Sequence, residues 1–204
     1  MKQLMLSLFL LFAFVSAPAQ CITDALADMP ENIIPTLTEE NKRALLEDST
    51  ITIVKTLLGE ITRVELRNDY IKLRTSAVGS TQIQLLNNEQ GENLICVIQT
   101  VCAPACNSDI VLYNSNWELI KDIELLPELT SESFVTPLPK GDPYIVAHTL
   151  LPDICPISAQ FNEDGMLVLQ LDIDNYLSGE MLKEFNNTFE KRDLVLQWNG
   201  HTFR

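Results

Sequence analysis

The sequence predicts an α+β protein in which N-terminal helices pack on an antiparallel β meander, followed by a second sheet-and-helix segment. Three observations predict it. Residues 22–48 carry helix-start signals and helical apolar spacing. Residues 51–124 change to short β-branched or alternating runs separated by short gaps, the pattern of successive hairpins. A proline-rich break at 127–143 then leads to a hairpin, an amphipathic helix and a closing strand.

The elements follow in order. Thr23 or Asp24 caps a first short helix through Ala25-Leu26-Ala27, which must stop before Pro30. Ile33, Ile34 and Leu37 form an apolar link around Pro35. Thr38 is an N-cap with Glu39 and Glu40 in the first turn, where the helix dipole favours them. Ala44, Leu45 and Leu46 give that helix its buried side, and it ends near Asp48-Ser49. Strands are expected at 51–54, 61–66, 70–74, 81–85, 94–101, 110–113 and 117–123. In Thr81–Leu85, Ile83 and Leu85 fall on one face and Gln82 and Gln84 on the other. The 94–101 run is apolar enough for a central strand, and Asn114-Ser115-Asn116 is turn chemistry. A sheet with one polar face needs cover for its apolar face, and the N-terminal helix supplies it. Beyond the break, Tyr144–Leu151 and Ile157–Phe161 read as strands, with a turn at Pro152–Pro156 between them. Glu163-Asp164-Gly165 turns into Met166–Ile173, with Leu167, Leu169, Leu171 and Ile173 on one face. Ser178 caps a helix through Phe189, with Met181, Leu182, Phe185 and Phe189 at helical spacing. Asp193–Trp198 closes as a strand before an Asn199-Gly200 turn.

The N-terminus reads as an export leader. Lys2 precedes an apolar run from Leu4 to Val15, and Ser16-Ala17-Pro18-Ala19 supplies small residues for cleavage after Ala19. The run is shorter than the roughly 20 residues a membrane-spanning helix needs. The segments are therefore a signal peptide at 1–19, helix plus meander at 20–126, a Pro-rich connection at 127–143, and hairpin, helix and closing strand at 144–204; alternatively 20–204 forms one continuous domain. The expected location is exported, periplasmic or cell envelope. Cys21 follows the apolar run as a lipid-bearing cysteine would, but Gln20 is not the small residue that lipidation favours. Membrane contact is expected only if Cys21 is lipidated.

Twenty-eight acidic residues face 14 basic ones, a net charge of −14. Such a chain is repelled by nucleic acid and by anionic lipid. The acids are scattered, so they form a solvated surface and not a tail. Of the five cysteines, Cys21, Cys96, Cys102, Cys106 and Cys155, an odd one must stay outside any intramolecular pairing. Cys102-Ala103-Pro104-Ala105-Cys106 lies between two strand-like runs, and proline there can hold the thiols close enough for a disulfide in an oxidising compartment. Buried reduced cysteines are the other reading. The spacing does not suit zinc, and His148 and His201 are the only histidines.

No organised catalytic set stands out. His148, Asp153 and Cys155 crowd into eight residues, whereas catalytic triads are usually assembled from distant segments. No nucleophile elbow and no glycine-rich phosphate loop occur; Gly79, Gly91 and Gly141 are isolated. Asp172, Asp174, Asn175, Glu163 and Asp164 depart from a calcium-loop pattern. Tyr70, Tyr113, Trp117 and Tyr144 can be set out as a sugar-stacking platform, although aromatics in strands are more often core. Asn186-Asn187-Thr188 and Asp48-Ser49-Thr50 match short glycosylation patterns. No metal or cofactor is implied.

Met29-Pro30, the Pro35–Arg43 stretch, Tyr70–Arg74, the Cys102–Cys106 loop with Tyr113 and Trp117, and the closing Leu196–Gly200 together resemble an uncharacterised family of exported Bacteroidales proteins, a domain of unknown function. The resemblance covers essentially the whole chain after the leader and implies compartment and lineage, with no activity and no site residues. The expectation is a non-enzymatic envelope protein that binds a protein or glycan, with Cys102, Pro104, Cys106, Tyr113 and Trp117 as candidate contact residues. The alternatives are an exported hydrolase using a carboxylate pair, with carbohydrate as one substrate class, and an inhibitor or adaptor that docks the Pro104 loop into a partner.

Overall fold

The computed structural model describes residues 21–47, 50–121, 123–138 and 156–204. The leader, Tyr144–Leu151, His148, Asp153, Cys155 and most of the Pro152–Pro156 turn lie outside the described residues, as do Asp48 and Ser49. Among the described residues no helix is long and apolar enough to cross a membrane.

Two helices open the chain, α1 (Ile22–Ala27) and α2 (Glu39–Glu47). Cys21, not Thr23 or Asp24, is the N-cap of α1: its thiol donates to Asp24 Oδ2 at 3.0 Å and lies 2.8 Å from Thr23 Oγ1. Thr38 caps α2 as expected, its Oγ1 accepting from Asn41 N and its carbonyl from Lys42 N. Lys42 is buried, which its charge makes costly unless every donor is used. Its Nζ donates to Met29 O at 2.8 Å and Ala27 O at 3.5 Å and pairs with Glu39. A cation is thus placed on the carbonyls where α1 ends, which suits the negative end of the helix dipole.

Six strands form one antiparallel meander: β1 (Ile53–Thr56), β2 (Gly59–Leu66), β3 (Tyr70–Arg74), β4 (Gly79–Asn87), β5 (Asn93–Cys102) and β6 (Cys106–Asn114). Their order in the sheet is their order in the chain. Next come a 3-10 turn at Ser131–Phe134 and β7 (Val135–Pro137), then β8 (Ile157–Phe161), β9 (Leu167–Leu171), α3 (Gly179–Thr188), β10 (Phe189–Lys191) and β11 (Leu194–Leu196). Strands β11-β9-β8 make a three-stranded sheet, and β10 pairs with β7. Part of the Pro-rich stretch is therefore a strand partner. Phe189 belongs to β10 instead of ending the helix.

Among the described residues the expected strand at 117–123 does not form: Leu119 makes an isolated bridge back to Tyr113. The strand at 51–54 starts two residues later, at Ile53.

Both faces of the meander are covered. On one, α1, the 30–37 link and α2 bury Ile61, Ile71, Leu73, Ile83, Ile95 and Val97. On the other, the three-stranded sheet and α3 enclose Leu94, Cys96, Ile98 and Leu112 with Leu167, Leu169, Leu171, Ile173 and Phe185. This second cover corrects the expected polar face of β4. Gln82 and Gln84 are buried, at 1% and 2% exposure. Gln82 repays burial with three bonds: its Oε1 accepts from Tyr70 Oη and Phe161 N, and its Nε2 donates to Ala159 O. Asn107 Oδ1 takes Ile157 N, and Ser108 Oγ takes Ala159 N. Side chains of the large sheet thereby satisfy the outer edge of β8, where a further strand would otherwise pair.

Candidate functional site

Because the meander is a run of hairpins, its turns fall at two ends, and the ends differ in chemistry. One end carries the turns after β2, β4 and β6. Asn88 Oδ1 accepts from Gln90 N and Glu92 N, and Asn88 Nδ2 donates to Glu92. Asn114 repeats the pattern with Asn116 N, Glu118 N and the Glu118 carboxylate. Asn162 opens the β8–β9 turn in the same way, taking Asp164 N and Met166 N. In each turn the residue three positions after the Asn has positive φ: Gly91 at 81°, Gly165 at 74° and Trp117 at 61°. Glycine is the natural occupant of that slot, and a bulky aromatic there is a true outlier.

The exception at Trp117 is explained by what its ring does. It is buried, its Nε1 donates to Ala25 O at 2.9 Å, and it packs 5.6 Å from the Tyr113 ring. The strained backbone aims the indole at α1 and fixes the helix to the sheet.

The opposite end carries the turns Leu57-Leu58, residues 75–78 and residues 103–105. None of these nine residues is charged, in a chain with 21% charged residues. Leu57 is 101% exposed and Leu58 85%, with Val78 and Val101 more than half exposed. Ala77, Ala103 and Pro104 are exposed as well. The Leu57-Leu58 turn closes through Thr56 Oγ1, which accepts from Leu58 N, and through Gly59 at φ 133°. The other two turns are bonded together, Cys102 N donating to Val78 O at 2.9 Å. Cys102 and Cys106 are joined by a disulfide across a Cα–Cα distance of 3.8 Å, and the Ala103–Pro104 peptide is cis. Cys106 N donates to Asp172 Oδ2 at 2.6 Å, which braces this tip against the second sheet.

The structure divides the five residues singled out from sequence. Cys102, Pro104 and Cys106 share the apolar end. Tyr113 and Trp117 sit at the other, about 23 Å along β6 by strand rise. Tyr70 is buried between the sheets, on the opposite face from Tyr113, so these aromatics form no platform. Burial raises the pKa of Tyr113, with Asp109 adding to the effect, and also raises that of the Cys96 thiol, which packs as a small core residue. Leu57 and Leu58 were missed because residues 55–60 read only as a hairpin gap. The available signal was a pair of leucines where a tight turn calls for Asn, Asp or Gly.

The acids of the second sheet line a shallow cleft of about 210 Å³ with Ser158, Gln170 and Lys191. Each carboxylate there is engaged. Asp172 holds Cys106 N and Asn175 Nδ2, Asp174 pairs with Lys191, and Asp193 accepts from Gln170 Nε2 at 2.8 Å. Among the described residues, no group of three or more His, Cys, Asp or Glu gathers as a metal site would require. His201 is exposed beside its turn.

Comparison with known proteins matches this architecture to an uncharacterised one. A solved structure, a domain of an uncharacterized protein from Porphyromonas gingivalis W83, has a TM-score of 0.75 at 22% identity; the match covers 89% of this chain and 96% of that one. At that identity the likeness is one of fold. No curated protein matches. The family profile described as protein of unknown function (DUF3256) matches residues 14–203, so the chain belongs to that family.

Proposed function

Starting from membership of a family with no assigned activity, we propose that this chain is an exported, non-catalytic binding protein of the cell envelope that makes contact through the apolar end of its meander. One observation carries the reading. Among the described residues the most exposed large aliphatic side chains, Leu57 and Leu58, stand on uncharged turns at the end shared with the Cys102–Cys106 loop, while the other end is built from polar Asn-led turns. Exposed apolar groups gathered at one place on an otherwise acidic surface mark a contact site.

The test is photocrosslinking in native cells from probes placed at Leu58 and Pro104, with Gln90 and Ser115 as controls at the opposite end. Crosslinks from the first pair only are the expected result. Equal crosslinking from both ends, or none from Leu58 and Pro104, overturns the reading.

A further inference from the structure

Residues 51–74, which build β1 to β3, hold five of the chain's 14 basic residues and three of its 28 acids. This one segment is net positive, at +2, in a protein of net charge −14. Lys55 stands two residues before Leu57, with the exposed Glu60 opposite it on β2. Arg74 lies level with Thr62 and hence with Ile53, three residues behind the turn. Strand rise places these cations about 7 and about 13 Å behind Leu57. Side chains that enter the boundary between lipid headgroups and acyl chains reach about 5–10 Å deep. With Leu57 and Leu58 in that boundary, Lys55 and Arg74 stand at the level of the phosphates.

We propose that the Leu57-Leu58 turn, with Lys55 and Arg74 behind it, inserts into the interface of a bilayer bearing anionic phosphate headgroups. The proposal rests on the reading of this end as the contact surface, and it names what is contacted. Net charge does not forbid it. At about 0.1 M salt, charges beyond about 10 Å are screened, so the local patch of Lys55, Arg74 and Glu60, net positive, decides and not the distant acids.

Three features favour lipid over other occupants. The turn is convex and aliphatic, without the Trp, Tyr or Arg anchors that dominate protein hot spots, and fluid acyl chains need no matching pocket. A strand added to the edge of β1 meets an obstacle, because Asn41 Nδ2 already donates to the outward carbonyl of Lys55 at 3.0 Å. A second copy docked end to end through this convex turn buries little beyond two leucines from each chain, short of the roughly 800 Å² per partner of a standard stable interface.

The test is flotation of the exported protein with vesicles of phosphatidylcholine plus phosphatidylglycerol, compared with phosphatidylcholine alone. Cys21→Ser is present in every sample, so that no acyl chain contributes. Flotation with the mixed vesicles is expected, weakening as salt rises. Leu57→Ser with Leu58→Ser should lower partitioning at least about tenfold. Lys55→Glu with Arg74→Glu should abolish the preference for phosphatidylglycerol. All four positions are exposed, so folding is retained, and circular dichroism checks it. Absence of flotation, or flotation undiminished by the leucine substitutions, overturns the lipid assignment. If Leu58 then crosslinks to a protein in cells, the contact surface stands without the lipid; if it crosslinks to nothing, the contact surface falls as well.

Discussion

At one end of the meander, Asn88 and Asn114 each fold a turn by taking two backbone N–H groups and holding a Glu four residues on. At the other, Leu57-Leu58 and the Ala103-Pro104-Ala105 tip spend apolar side chains on solvent. The same hairpins supply both ends, so the difference is not imposed by topology. The Asn-led end does folding work: it satisfies its own backbone, and through Trp117 it attaches α1 to the sheet. The Leu57-Leu58 turn gives the isolated fold little, because fully exposed leucines bury nothing. A surface that does not serve the fold and is not polar is explained by something outside the chain.

Four measurements break or sharpen this contrast. Trp117→Ala should remove the anchor of α1 and cost about 3–5 kcal/mol in urea unfolding, the usual range for a buried tryptophan. A loss below about 1 kcal/mol would show that the polar end is not the structural one. Replacing Cys102 and Cys106 together by serine opens a loop closed across a sequence separation of four. Chain entropy puts that at about 2 kcal/mol by denaturant titration without reductant. The fold should remain while crosslinking from Pro104 falls; retention of that contact would exclude the braced loop from the surface. Asn88→Ala and Asn114→Ala should each cost about 1 kcal/mol, read as a lower melting temperature, with the two effects close to additive because the turns are separate. Smallest in stability is Leu57→Ser with Leu58→Ser, which should stay within about 0.5 kcal/mol of the parent while losing the contact. A destabilisation as large as that of Trp117→Ala would make the leucines part of the fold and end the comparison.

The meander itself was legible. Alternation in Tyr70–Arg74 and Thr81–Leu85, the apolar run of β5 and the Glu163-Asp164-Gly165 turn are local signals, and each lies where it was expected. Thr38 as a cap was equally readable, since capping is decided within four residues. The strand expected at 117–123 failed because Trp117 has a strand-former's composition but occupies a left-handed turn position held by the Asn114 bonds and by its contact with α1. Likewise, Gln82 and Gln84 look like solvent-facing residues until Ala159 and Phe161 arrive to bond Gln82.

For the candidate surface, sequence reached the Cys102–Cys106 loop, because paired cysteines around a proline are a local signature. It joined Tyr113 and Trp117 to that loop because neighbours in sequence look like neighbours in space. Strand rise separates them to opposite ends of β6. By itself, then, the sequence determined the order of the first two helices and of the six meander strands, the apolar helical cover and the net acidic charge, all consequences of residue period, caps and composition. Only the tertiary structure decided that a second sheet buries the polar face of β4, and that three turns distant in sequence fall at one end of the sheet. Both depend on which segments pack together over tens of residues, and no local periodicity records that.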